Sequence, residues 1–210
     1  MTGDASDYSG VKLTVLEFDD AVRKRPGMYF GAAREDPGLA TQVLCTVLRH
    51  ALHPAAKVAP DHTPHVIAEI SADLAFSATD DQADALSDQG TPWNGYYGSL
   101  LTNNRWAHAA AAVLSSQTTV EIWRNGRGFR QQLNGLRPVE PPAEFSAPAG
   151  SGTRVTYILD TGYFDSAAAI TTDLAHLDVH SLYCTYPAAP GNVIIRDLRD
   201  PHRLAEYRCD

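Results

Sequence analysis

His50, Asp80, Tyr96, Tyr97 and His108 are the side chains of this sequence best suited to proton transfer. Gathered in a desolvated cavity, they could supply a general acid and a general base to a small molecule, in cyclase-, isomerase- or hydrolase-type chemistry of specialised metabolism. A lone histidine on a helix is more often structural, and the spacing places no second group to orient His50. Trp93, Tyr96, Tyr97 and Trp106 could roof over a pocket and contact a planar or apolar ligand, or pack on the core as a fixed cap. The acidic stretch 79–84 (TDDQAD) offers Asp80 or Asp81 as a ligand contact and reads equally as a solvated turn.

Composition bounds what this chemistry could act on. The chain has 210 residues, 44% of them hydrophobic, enough for one domain with a sizeable core. Twenty-five acids against 17 bases give a net charge of −8, which disfavours nucleic acid as a partner, although Arg23, Lys24 and Arg25 form a local basic run. Cys45, Cys184 and Cys209 are odd in number and lack CxxC spacing, so no metal site or disulfide framework is indicated. With no leader-like segment and no long apolar run, the expectation is a cytoplasmic protein without a membrane role.

The elements that must position these residues follow from periodicity. Residues 1–10 are small and polar and are expected to fray, 11–16 alternate as an edge strand or lead-in, and 19–24 form a short helix. Pro26-Gly27 should stop that helix, leaving Met28, Tyr29 and Phe30 pinned to a core. Between Gly38 and Pro54, apolar residues at three- and four-residue intervals predict a helix with one buried face carrying Thr46 and His50. A loop over 54–64 then precedes strands at 66–70 and 74–76. A helix is predicted over 107–115, and a hairpin over 118–123 and 129–133 around Asn125-Gly126. A strand at 152–155, a helix at 167–181 and a last strand at 192–198 complete the chain.

One stretch is more specific than its pattern. Residues 21–31, AVRKRPGMYFG, closely resemble the segment near the start of the ATPase domain of the gyrase B protein and its type IIA topoisomerase relatives, in the GHKL family. The run 109–139 and the Gly152-Thr153-Arg154-Val155 strand are similar to that family's helix-plus-hairpin and Gly-Thr-x-Val segments. The resemblance implies an α/β two-layer sandwich, with a mixed, mostly antiparallel sheet and helices on one face. It also implies a single domain over 1–210 with no transducer domain.

The resemblance further implies roles by position. Thr46, Arg49 and His50 fall where the family has its water-activating Glu, an Asp and its magnesium-binding Asn. A threonine hydroxyl cannot replace a carboxylate base, and imidazole is a poor magnesium ligand. Asp80 or Asp81 falls at the adenine-binding aspartate, Thr153 at the threonine joined to it, and Arg130 at an arginine of the pocket mouth. Gln82, Ala83 and Asp84 stand where the family keeps glycines. The expectation is a domain that has lost ATP hydrolysis and strand passage, with its nucleotide pocket retained or converted for a small molecule. Nucleotide could still bind, no metal is expected, and the candidate ligand contacts are Thr46, Asp80, Asp81, Trp93, Trp106, Arg130 and Thr153. Two alternatives stay open: the acid-base enzyme above, and a decoy that regulates gyrase.

Overall fold

Strict alternation over short runs produces strands with one apolar face, and the computed structural model assembles nine of them into one sheet. It describes residues 16–52, 63–179, 191–202 and 204–209. The helices are α1 (Phe18–Lys24), α2 (Pro26–Phe30), α3 (Leu39–Leu52) and α4 (Trp106–Val113). The strands are β1 (His65–Ala72), β2 (Ala75–Asp80), β3 (Ser115–Arg124), β4 (Arg127–Asn134), β5 (Arg137–Pro138), β6 (Ala143–Ser146), β7 (Ser151–Leu159), β8 (Asn192–Asp197) and β9 (Ala205–Cys209). Their order is β5-β4-β3-β7-β2-β1-β8-β9, with β6 also on β4. Among the described residues, only β1 and β8 run parallel, and every other pairing is antiparallel.

The helices cover one face of this mixed sheet. Val66, Ala68, Ile70, Phe76, Ala78, Val120, Ile122, Val155 and Tyr157 are buried beneath them. α3 lies on β1, β2 and β8, and α4 lies on β3 and β7. The opposite face is polar: Arg130 Nε donates to Glu121 at 2.8 Å, and Arg154 Nε donates to Thr79 Oγ1 at 3.0 Å. The β3–β4 hairpin closes through Asn125 (φ 53°) and Gly126 (φ 81°), the left-handed pair that a two-residue turn between twisted strands requires.

Several expectations are corrected. Pro26 starts a second helix rather than only stopping the first, because at a first helical position its missing N–H is not needed. Of the three apolar residues that follow, only Phe30 is buried; Met28 is 74% exposed and Tyr29 half-buried against Phe18. α3 is buried on nearly every side, Cys45, Thr46 and His50 included, since α4 packs alongside it and Thr41 bonds to the 169–171 segment. The helix expected over 167–181 is absent from 167–179, apart from one 3₁₀ turn at Leu174–His176. There, tertiary partners take the backbone groups a helix would use. Ile170 N–H donates to Asp73 O, Thr171 N–H to Thr41 Oγ1, and Arg199 caps the carbonyls of Ile170 and Thr171. Finally, β8 is not the last strand, because β9 pairs along its outer edge. The expectations for 1–15 and for most of the 54–64 loop lie outside the described residues.

Candidate functional site

β2 and β7 pair so that Asp80 faces Thr153, both buried on the helix side. Gln82 links them: its N–H donates to Asp80 Oδ1 at 2.9 Å, and its carbonyl accepts from Thr153 Oγ1 at 2.6 Å. Gly152 permits this approach, since a Cβ there would lie 2.4 Å from the Trp123 ring and 2.8 Å from the Asp80 carbonyl oxygen.

The residue that dominates the site is Arg105, at the end of the 3₁₀ turn Asn103–Arg105 and completely buried. Its Nη1 and Nη2 donate to Asp80 Oδ2 and Oδ1 at 2.6 and 2.9 Å, a bidentate pair, while Nε donates to Asp84 Oδ1. Thr102 Oγ1 donates to Asp84 Oδ2 at 2.9 Å. Burial pushes the Asp80 carboxyl above its ordinary range against the pull of Arg105. Burial acts the same way on Asp84, but there the Arg105 charge and the bonds from Arg105 and Thr102 prevail and hold it below the usual range. The guanidinium, opposed by burial, is held above its ordinary value by both carboxylates.

α4 also carries His108, whose Nδ1 lies 2.7 Å from Tyr157 Oη. Its buried Nε2 has no hydrogen-bond partner among the described residues. Burial, reinforced by the Arg105 charge and by His50, pushes the imidazole well below its ordinary pKa, and burial pushes the Tyr157 phenol well above its own. Both groups are therefore neutral at pH 7 and enclosed. His50 is buried edge-on to Trp106, with ring centroids 5.2 Å apart, and Thr46 is buried one turn earlier on α3.

The remaining candidates lie elsewhere. Tyr96 stacks on Phe18 at 4.6 Å, while Tyr97 donates to Asp19 at 3.2 Å beneath Arg137, 4.0 Å from its ring. Asp81 accepts from Gln82 Nε2 at 3.0 Å. Arg130 lies on the helix-free face, paired with Glu121 and 5.2 Å above the Phe145 ring. Trp93, 58% exposed, lines an open groove of about 560 Å³ beside Asp84. The structure thus brings together Asp80 and Thr153, and His50 and Trp106, and separates both tyrosines and Arg130 from them. Arg105, Asp84 and Tyr157 escaped sequence reasoning. A charge abutting the alanine-rich start of α4 was the one available signal for Arg105.

Oδ1 accepts from both Arg105 and Gln82, and Oδ2 from Arg105, so the Asp80 carboxylate is held as the partner of a buried cation rather than left open to a ligand or a proton. Burial pushes the Cys45 thiol up to about 11, which leaves it an unreactive core side chain. Among the described residues, no group of three or more His, Cys, Asp or Glu side chains is placed to hold a metal, and no helix is long and apolar enough to cross a membrane.

No protein-family model matches the chain. It is similar to a novobiocin-resistant DNA gyrase B protein of Streptomyces niveus, 28% identical over 176 residues that cover 77% of this chain and 26% of the relative. The chain therefore spans about a quarter of the length of that relative. This similarity, with the mixed sheet and its helix layer, supports a gyrase B-like relationship.

Proposed function

We propose that this chain is a gyrase B-like domain that binds a small molecule without binding or hydrolysing ATP. The observation that carries the reading is the Arg105 clamp on Asp80. The resemblance implies that a carboxylate at this position accepts the adenine amino group, with Thr153 beside it. Here the chain's own guanidinium makes those bonds. For adenine to take this carboxylate, Arg105 must leave two buried carboxylates, and breaking a buried pair costs about 3–5 kcal/mol, or roughly 10²- to 10⁴-fold in affinity. Hydrolysis faces a second obstacle: Thr46 at the water-activating position forgoes the roughly 10²–10⁴-fold that a general base contributes. The enzyme alternative draws less support, because the His108–Tyr157 pair is enclosed and both tyrosines of the acid-base set are engaged with the α1 side.

The test is thermal shift and calorimetry with ATP and a non-hydrolysable analogue, with and without magnesium, alongside a phosphate-release assay. Novobiocin, to which the Streptomyces relative is resistant, belongs in the same panel. A ligand that binds only the folded state must raise Tm. No shift with millimolar nucleotide and no phosphate released is the expected result. Magnesium-dependent stabilisation or turnover would overturn the proposal.

A further inference from the structure

The groove beside the clamp has a lining chemistry of its own. Trp93 forms an exposed apolar wall, and Asn94, Asn103 and Asn104 line the same space. None of these three amides makes a side-chain hydrogen bond with the described residues, so each keeps its donors and acceptor. The volume of about 560 Å³ falls within the roughly 300–1,000 Å³ of small-molecule sites. The walls are held from behind. Asp84 is fixed by Arg105 and Thr102, Trp93 N–H donates to Ala85 O at 2.8 Å, and Gly95 N–H donates to Ser99 O at 2.7 Å. At Gly95 the chain crosses so tightly that a Cβ would stand 1.9 Å from the Leu101 carbonyl oxygen. The backbone of a groove held in this way loses little freedom when it is filled, so the ordering cost falls on the exposed Trp93 and asparagine side chains.

Charge selects among ligands. No lysine or arginine lines the groove among the described residues, so a phosphate or carboxylate would find no counter-charge and would meet Asp84 and Asp88. Nor do these carboxylates make a cation site: among the described residues no group of three or more such side chains is placed to hold a metal. Asp84 is consumed by Arg105, and Asp88 lies 3.6 Å from Arg124. What remains is a flat aromatic surface and three amides able to donate and accept at once. That set matches a neutral ring with an apolar face and adjacent hydroxyls at its edge.

We infer that this groove is a binding site for a neutral pyranoside, with the sugar face on Trp93 and its hydroxyls on Asn94, Asn103 and Asn104. The assignment rests on the reading of the chain as a non-hydrolysing binding module and names the ligand class of that module. It places the ligand outside the buried Asp80–Thr153 position.

The test is calorimetric and fluorescence titration of the intact chain with methyl glucoside, methyl galactoside and N-acetylglucosamine, with glycerol and ATP as controls. Saturable binding of at least one pyranoside is expected, absent with glycerol and weakened about tenfold or more in both Trp93→Ala and Asn103→Ala/Asn104→Ala. Leu204→Ala, an exposed residue just before β9 and outside the groove, should bind as the parent does. Tm of each variant without sugar separates a lost contact from a lost fold. No saturable pyranoside signal with ATP also silent would overturn the sugar assignment alone, as would unchanged binding in folded Trp93→Ala. Magnesium-dependent ATP binding that excludes the sugar would overturn both readings.

Discussion

Replacing Arg105 with methionine removes the charge while keeping an unbranched chain in the space. Asp80, 4% exposed, and Asp84, its side chain 11% exposed, would then face each other without the guanidinium. Leaving buried charge uncompensated costs about 3–5 kcal/mol, a large share of the roughly 5–15 kcal/mol available to a folded domain. At about 2–4 °C per kcal/mol for a chain of this size, Tm should fall by roughly 6–20 °C. The pH dependence should change as well, because in the parent the two carboxylates act in opposite directions. In the parent, Asp84 is held below its ordinary pKa, so its contribution is complete above the unfolded value and is lost as pH falls through the folded one. Asp80 is raised already in the parent and weakens it as pH rises through the folded value; in the variant, with no cation opposing burial, Asp84 is no longer held down, so both carboxylates favour stability at low pH and its decline as pH rises. The deficit against the parent should therefore shrink on acidification. Urea titrations from pH 4 to 8 measure this, and an unchanged m-value confirms that the same surface is exposed on unfolding. Asp80→Asn in the Arg105→Met background should recover a substantial part of the loss, which keeps the test informative if the single variant folds poorly. A single variant within about 1 kcal/mol of the parent at pH 7, or one with a parallel pH profile, would refute the view that these charges are mutually dependent.

Two further outcomes follow from the geometry. His108 titrates well below its ordinary value in the folded chain, so the unfolded chain binds the extra proton below about pH 6.5. The parent should lose up to about 1.4 kcal/mol per pH unit from this group as pH falls below that point, and His108→Phe should flatten the slope in urea titrations. Gly95→Ala places a methyl group into the Leu101 carbonyl, which is backbone and cannot swing aside. A cost of about 1–3 kcal/mol, read as a lower urea midpoint, is expected together with a disrupted groove; an unchanged midpoint would mean the crossing is looser than described.

Local pattern alone was enough to specify much of the scaffold. The three- and four-residue spacing of α3, the alternation of β1 and β3, and the Asn125-Gly126 turn each encode one local conformation through apolar period or turn sterics. The AVRKRPGMYFG stretch and Gly152-Thr153 pointed to the fold class through resemblance, and the nine-stranded sheet agrees with it. Where tertiary partners compete with local propensity, pattern misled. Alanines and leucines over 167–179 favour a helix, yet Asp73, Thr41 and Arg199 bind the backbone there in an irregular path.

What only the tertiary structure decided is the state of the pocket. Asp80 was legible only as one of two aspartates, with Asp81, in an acidic loop that the resemblance joins to Thr153; that it ends β2 opposite Thr153 on β7 is a fact of the fold. That a guanidinium 25 residues away closes on Asp80, and that a phenol 49 residues away meets His108, depends on a loop without repeat or motif to set its register. The sequence carries the charges of Asp80, Asp84 and Arg105 but not the distances between them. Coulomb and desolvation energies vary steeply with separation and burial, so the same three residues spell an open ligand site when apart and a closed internal salt bridge when folded together.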